Sequence, residues 1–274
     1  MPHAYFGSTA LVLITTVAGC DLGGVTATEM RMAVDETVAT GQAESMQTDI
    51  IEISTSFTLG DAFNSALLNI EAFVNSQAPC STVTPTGERG LVIDFGDLDD
   101  ACTYRGRTYA GTITIELEDT PDGVVVHHSL AALTNGKLTI DGDADVTWTS
   151  ESRRVQTDLT FVRDDSTTEL TADRTIKLLD DAAGLAGGII VDGERQWTNQ
   201  RGEFDLTIAS VEMRPVDPVP QAGSYHLALP NGGAVDLAFT RIDSDTIEVR
   251  VSGGRRDRVF HVSTTGTVDA LDAG

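Results

Sequence analysis

The chain has 274 residues, 41% of them hydrophobic, which is enough for one large core or two smaller ones. Its 42 acidic and 18 basic residues give a formal net charge of -24 at pH 7. Such acidity repels phosphate backbones, so nucleic acid is excluded as an expected partner, and attachment to anionic membranes through a basic patch is disfavoured. The many Gly, Thr, Val and Ile residues favour strands and tight turns.

The first segment, 1–19, has the composition of a signal peptide. Its apolar stretch from Ala10 to Gly19 is too short for a membrane-spanning helix, which needs about 20 apolar residues. The sequence Val17-Ala18-Gly19-Cys20 resembles the bacterial lipobox. The resemblance implies that Cys20 receives a diacylglycerol, that a peptidase removes 1–19, and that acyl chains hold the protein on an envelope membrane. Whether this is the inner or the outer membrane stays open, and the body would lie in the periplasm or on the cell surface.

The cysteine count fits export. The chain has three Cys, and lipidation of Cys20 leaves Cys80 and Cys102 as a pair. An even remainder in an oxidising compartment predicts one disulfide. Closing a loop of about 20 residues contributes on the order of 3 kcal/mol in the chain-entropy model.

Residues 20–29 are predicted to be the lipidated Cys and a tether, and 30–77 a helical segment. Helical spacing of apolar residues continues after Gly41, and Asp61 is a candidate N-cap for a second helix that ends before Pro79. The first part has Met30, Val34, Val38, Met46, Ile50 and Ile53, and the second has Phe63, Ala66, Leu67, Ile70, Phe73 and Val74. We expect an apolar stripe of this segment to pack on the sheet that follows.

From 78 to 214 the hydrophobic period changes to two, as in Ile113, Ile115 and Leu117. About eleven such runs are predicted along the chain, and turn signals separate them: Pro121-Asp122-Gly123, Asn135-Gly136, Asp192-Gly193 and Asn231-Gly232. Clean alternation indicates a sheet with one buried and one solvated face. The predicted fold class is therefore mainly β: an antiparallel sheet, either an extended meander or a sandwich, with the helical segment packed on it.

Two features concern the sheet's extent. Ile140-Asp141-Gly142-Asp143 is echoed by Val191-Asp192-Gly193-Glu194 about 50 residues later, each followed by Trp-Thr and then Asp-Leu-Thr. This indicates either a duplicated unit or coincidence. Residues 215–220 are predicted to be a stiff Pro-rich linker. Residues 221–274 are predicted to be a small β meander, separate or part of the same sheet, with a disordered tail from Thr264.

The stretch from Cys80 to Leu117 contains Ile93-Asp94-Phe95-Gly96, Cys102, Gly106-Arg107 and Gly111-Thr112-Ile113-Thr114-Ile115. It resembles a pattern of uncharacterised β-rich bacterial lipoproteins. The resemblance implies a fold and an envelope location but no reaction.

Metal and cofactor chemistry have little support. Asp141, Asp143 and Asp145 are weak calcium candidates because position 12 of such a loop is Ser152 and its position 6 is Val146. The acidic residues Asp97, Asp99 and Asp100 are a second weak candidate. No cofactor is expected.

The aromatic and His residues allow few sites. The adjacent His127 and His128 should point to opposite faces of a strand, which suits neither a zinc pair nor a catalytic dyad. His226 and His261 are expected to face solvent. Trp148 and Trp197 are expected to pack in or across the sheet, or else to form a platform for sugars.

Three functional hypotheses follow. The leading one is a lipid-anchored envelope protein that acts as a structural or binding module, without catalysis, for an unknown protein or small-molecule ligand. The alternatives are a carrier of apolar ligands in a cavity between sheet and helix, and a hydrolase with an unrecognised site.

Overall fold

A computed structural model describes residues 24–55, 63–104, 106–121, 123–148, 152–180, 182–214 and 216–271. It contains two α-helices, α1 (Ala27–Thr55) and α2 (Phe63–Gln77). The strands are β1 (Thr82–Pro85), β2 (Gly90–Asp94), β3 (Cys102–Tyr104), β4 (Arg107–Thr120), β5 (Gly123–Thr134), β6 (Leu138–Trp148), β7 (Arg153–Arg163), β8 (Ser166–Leu178), β9 (Ile189–Asn199), β10 (Gly202–Met213), β11 (Ala222–Ala228), β12 (Ala234–Arg241), β13 (Thr246–Ser252), β14 (Arg258–Ser263) and β15 (Val268–Leu271). Short 3-10 helices lie at Leu98–Asp100 and Gly184–Gly187.

All the described strands belong to one antiparallel sheet of 15 strands. Each strand pairs with the next along the chain, except that β2 pairs with β4. Strand β3 pairs only with the first residues of β4. Along β7, residues alternate strictly between buried and exposed from Arg154 to Val162. This alternation leaves one face for the core and one for solvent. The prediction of a mainly β meander is confirmed, with more strands than the eleven expected.

Helix α1 lies in the concavity of the sheet. Nine consecutive residues, Ala43–Ile51, are buried, and a helix has 3.6 residues per turn, so this stretch is covered on every side. The helix makes contacts with β12, β13 and β15 and side-chain hydrogen bonds to β4, β7 and β9. The prediction of a helical segment packed on the sheet is confirmed, but burial is not confined to an apolar stripe.

Helix α1 runs through Gly41 without a break, as the helical spacing on both sides of this residue predicts. A Cβ atom at this position would lie 2.0 Å from the carbonyl oxygen of Pro218. The Pro-rich segment therefore packs directly against α1, and Gly41 is needed because any side chain would collide with that backbone.

The Pro-rich segment lies between two paired strands. Val219 is buried, and the fully buried Asp217 carboxylate accepts hydrogen bonds from Arg214 and Arg241. Strand β11 pairs with β10 across this segment, so the meander after 221 continues the same sheet. The tail also differs from the prediction, because Val268–Leu271 form β15 and pair with β14.

Two of the predicted turns are present as turns. Gly136 and Gly232 adopt positive φ angles between β5 and β6 and between β11 and β12. Asp192-Gly193, however, lies inside β9, so the prediction of a turn there is wrong.

Candidate functional site

The most unusual feature of the described chain is a set of ion pairs between buried acids of α1 and arginines of the sheet, which we call the helix–arginine network. Its acids on α1 are Glu36, Glu44, Asp49 and Glu52, and its partners on the sheet and its turns are Arg107, Arg153, Arg174, Arg195 and Arg201. At about 100° per residue, Glu44 and Asp49 project in directions about 140° apart. They can both find partners because the sheet surrounds the helix.

Glu44 is the centre of the network. Its Oε1 lies 3.1 Å from Nη1 of Arg174, and its Oε2 accepts a hydrogen bond from Arg195. The three side chains are 3–6% exposed. Two arginines thus share one carboxylate in an almost fully buried region. Burial lowers the pKa of Arg174, although an arginine remains charged.

Neighbouring polar groups of α1 support these arginines. Arg195 donates to Thr40 Oγ1 at 2.8 Å, and Arg174 donates to Gln47 Oε1 at 3.3 Å. The Nε atoms of both arginines nevertheless lie buried without a hydrogen-bond partner in the described chain. The neutralising charge of Glu44 is therefore important for tolerating both cations.

Glu36 joins the helix to the end of β9. Its carboxylate accepts hydrogen bonds from Trp197 Nε1 at 3.0 Å, Asn199 Nδ2 at 2.8 Å and Arg201 Nη1 at 2.9 Å. Trp197 is 1% exposed and stacks on Phe204 with ring centroids 5.0 Å apart. It is a core residue, which removes it from a sugar platform. Trp148 lies at the end of β6, and its side chain lies outside the described part.

Asp49 and Glu52 fix the other end of α1. Asp49 Oδ2 accepts from Arg107 Nη1 at 2.6 Å and from the Tyr109 hydroxyl at 2.7 Å. Burial, and then the adjacent Asp49 carboxylate, raises the pKa of Tyr109 well above its usual value. Glu52 accepts from Arg153 at 2.5 Å. These contacts set the position of the helix along its axis.

The predicted disulfide is present. Cys80, just after α2, is bonded to Cys102 of β3, with Cα atoms 5.3 Å apart and 22 positions apart in sequence. It connects the end of the helical segment to the edge of the sheet. Cys20 and Asp61 lie outside the described residues, so the lipidation of Cys20 and the helix cap at Asp61 stay predictions.

The acidic calcium candidates on β6 have separate roles on the solvated face. Asp141 accepts from the Ala132 amide at 2.7 Å, Asp143 from Ser129 Oγ at 2.5 Å, and Asp145 contacts His127 Nδ1 at 2.7 Å. Within the described ranges, no group of three or more His, Cys, Asp or Glu residues is placed to hold a metal ion.

The second acidic candidate has a local structural role. Asp97 caps the 3-10 helix Leu98–Asp100 by accepting hydrogen bonds from the Asp99 and Asp100 amides at 3.2 Å. Its carboxylate is therefore used to satisfy backbone donors.

The two adjacent His residues point to opposite faces, as predicted. Partial burial lowers the pKa of His127, but hydrogen bonds to Asp145 and Glu118 outweigh it and raise that pKa above its usual value. Both ring nitrogens are within hydrogen-bond distance of carboxylates, so neither is available as a base. His226 contacts Asp236 at 2.8 Å on the exposed face, and His261 is half-buried.

The buried His128 is expected to make the stability of the protein depend on pH. Burial lowers its pKa to about 4, whereas an unfolded His has a pKa of about 6.5. The unfolded chain therefore binds a proton first as pH falls, so this residue's contribution to stability is complete above pH 6.5 and lost towards pH 4. We expect a loss of about 2 kcal/mol between pH 7.5 and pH 5. Urea unfolding at several pH values should show a shallower pH slope in His128→Gln, while the exposed-face control His226→Gln retains it.

The apparent repeat has a structural basis in two β-bulges. Ala132 and Ser210 have φ angles of 49° and 48°, and their amides donate to Asp141 and Asp192 at 2.7 and 2.6 Å. The bulged strand precedes the Asp-Gly strand in one case and follows it in the other. A tandem duplication does not account for this reversed order, and the recurring element is the Asp-Gly pair itself.

The glycine of each Asp-Gly pair allows close approach of the neighbouring strand that lies opposite the bulge. A Cβ atom on Gly142 would lie 2.2 Å from the Asp158 carbonyl oxygen, and one on Gly193 would lie 2.1 Å from that of Asp173. Asp-Gly inside a strand therefore indicates a bulge with tight packing here, rather than a hairpin turn.

Known proteins give no guide to the role of this arrangement. No protein-family model, curated protein or solved structure matches the chain. Neither described helix is both long and apolar enough to cross a bilayer. Function therefore has to be argued from the residues themselves.

Proposed function

We propose that this chain is a lipoprotein of the bacterial cell envelope, anchored by acyl chains on Cys20, whose body is a structural or binding module without catalysis. The observation that carries the proposal is Val17-Ala18-Gly19-Cys20 at the end of a short apolar stretch. Two or three acyl chains give stable attachment, because each buried CH₂ contributes about 0.8 kcal/mol.

The disulfide supports an exported location. Bonds such as Cys80–Cys102 persist in oxidising compartments and are rare in the cytosol. With those two residues paired, Cys20 is the remaining Cys of the three in the chain.

The position of α1 favours a structural or binding module over a carrier of apolar ligands. A ligand in the concavity of the sheet would have to displace α1, whose buried stretch Ala43–Ile51 occupies it. Moving the helix would also separate Glu44 from two buried arginines, which is strongly unfavourable.

The exposed His–carboxylate contacts give little support to a hydrolase. His127 contacts carboxylates through both ring nitrogens, and His226 and Asp236 have side chains 58% and 66% exposed. His226 and Asp236 lack the partly desolvated setting in which an acid–base pair is usually tuned, and the ring nitrogens of His127 are already occupied by carboxylates.

Mass spectrometry of the membrane fraction tests the anchor. We expect mature protein that begins at Cys20 and carries acyl chains, and we expect the uncleaved form to accumulate when globomycin blocks the lipoprotein peptidase. Cys20→Ser should abolish acylation and the cleavage that depends on it, whereas Cys80→Ser should leave both intact. A mature N-terminus at another residue, or a Cys20 without acyl chains, would overturn the proposal.

A further inference from the structure

A cluster of positive charge interrupts the acidic surface where β13 connects to β14. Arg255 and Arg256 are exposed and Arg258 is half-buried. Most other arginines in the described ranges form ion pairs with carboxylates, including exposed ones such as Arg154 and Arg250. The three clustered arginines form no such pair with any described residue. The net charge disfavours attachment to anionic membranes through a basic patch alone, but the described surface does contain this local cluster of arginines.

The cluster lies beside the start of the described chain. Gly24–Ala27, Met30 and the three arginines line an open pocket of about 470 Å³. Val25 forms a parallel β-bridge with Gly254, and a Cβ atom on Gly254 would lie 2.4 Å from the Val25 carbonyl oxygen. The N-terminal segment is therefore fixed next to the arginines.

The charge of the pocket comes from the arginines and not from the helix terminus. The first turn of α1 has a capping box, in which the Glu29 carboxylate accepts hydrogen bonds from the Thr26 amide and hydroxyl, both at 2.7 Å. Asp257 lies within the cluster and reduces its charge, but three cations still outnumber it.

We propose that Arg255, Arg256 and Arg258 form a membrane-facing surface that binds the anionic phospholipid headgroups of the bilayer in which Cys20 is anchored. This orientation rests on the proposed lipidation. Cys20 is only four residues from Gly24, so the acylated residue lies within about 14 Å of the pocket even when the chain is fully extended.

The same geometry explains why this surface is the one that approaches the membrane. An anionic bilayer repels a body with a net charge of -24, but that repulsion is screened over about 8 Å at physiological ionic strength. Basic residues close to the headgroups are attracted within that range. The anchor and the arginines together would turn the acidic outer face of the sheet away from the bilayer.

Vesicle binding of the full chain carrying Cys20→Ser tests the arginines without acyl chains. We expect it to bind vesicles of phosphatidylglycerol and phosphatidylcholine at least about 10-fold more tightly than vesicles of phosphatidylcholine alone, with the preference lost at high salt. Phosphatidylcholine also carries a phosphate, so this comparison separates net anionic charge from phosphate recognition. The leader is the same in every sample, and its apolar contribution cancels in the ratio.

Arg255→Gln/Arg256→Gln/Arg258→Gln should remove the preference, and the exposed pair Arg255→Gln/Arg256→Gln should remove most of it. The matched control Arg154→Gln/Lys177→Gln/Arg250→Gln loses the same charge elsewhere and should retain the preference. Circular dichroism verifies that all variants are folded. No preference in the parent chain, or an equal loss in the control, would overturn the membrane-facing surface. Neither result bears on whether Cys20 is acylated, which the mass spectrometry decides.

Discussion

Glu44→Gln is expected to destabilise the protein by about 3–5 kcal/mol, because it leaves Arg174 and Arg195 buried without a negative charge. The amide is nearly isosteric with the carboxylate, so the change removes charge rather than volume. Domains of this kind are stable by only about 5–15 kcal/mol. The loss should therefore appear as a large fall in the urea midpoint, measured by far-UV circular dichroism.

An exposed ion pair on the same helix provides the control. Arg31 and Asp35 form a pair whose side chains are 42% and 39% exposed, and such pairs contribute at most about 1 kcal/mol. Asp35→Asn should therefore shift the midpoint only slightly. Equal losses for Glu44→Gln and Asp35→Asn would mean that the buried carboxylate is not what keeps the two arginines in the core.

A second variant separates charge compensation from loss of packing. Replacing all three groups, in Glu44→Leu/Arg174→Met/Arg195→Met, removes both the cations and their counter-ion. Apolar replacements of buried ion networks are often neutral or stabilising, so this variant should regain most of the stability lost in Glu44→Gln. If it does, the network serves to fix the position of α1 within the sheet rather than to increase stability.

The sequence contained part of the signal for this network. In β8 the inward positions are Thr168, Leu170, Ala172, Arg174 and Ile176. An arginine in that register indicates a buried counter-ion. Its partner, Glu44, could not be predicted from the sequence. The pairing depends on which side of α1 lies against β8 in the folded sheet.

Sequence patterns predicted the strands, but they did not predict the positions where backbone segments remote in sequence pack against each other. Alternation identified most of the sheet because side-chain direction in a strand has a period of two. Helical spacing assigned no special role to Gly41, and Asp192-Gly193 appeared to form a turn. In both cases glycine instead accommodates a neighbouring backbone carbonyl, that of Pro218 or Asp173.

The enclosure of α1 explains why its buried surface is wider than the apolar stripe predicted from the sequence. Periodicity predicts a stripe when one face of a helix is buried, whereas α1 is covered on all sides along Ala43–Ile51. Its buried polar residues, such as Gln47 and Asp49, therefore carried no interpretable period. Their role became evident only from the strands that supply their partners.

Removal of the Cys80–Cys102 bond is expected to cost about 3 kcal/mol, because the bond restricts the unfolded chain across 22 positions. Its position adds to the effect, since it ties the end of α2 to the strand that pairs with the start of β4. The double variant Cys80→Ser/Cys102→Ser should show a lower urea midpoint, and reduction with dithiothreitol should lower the midpoint of the parent protein similarly.

Cys20→Ser is the matched control for the bond, because it removes the one Cys outside the pair. Its urea midpoint should equal that of the parent and should still fall on reduction. Alkylation of the denatured, unreduced Cys20→Ser protein should find no reactive thiol, whereas two thiols should appear after reduction. Two reactive thiols before reduction, or a midpoint indifferent to dithiothreitol, would show that the protein does not hold its helical segment to the sheet through this bond.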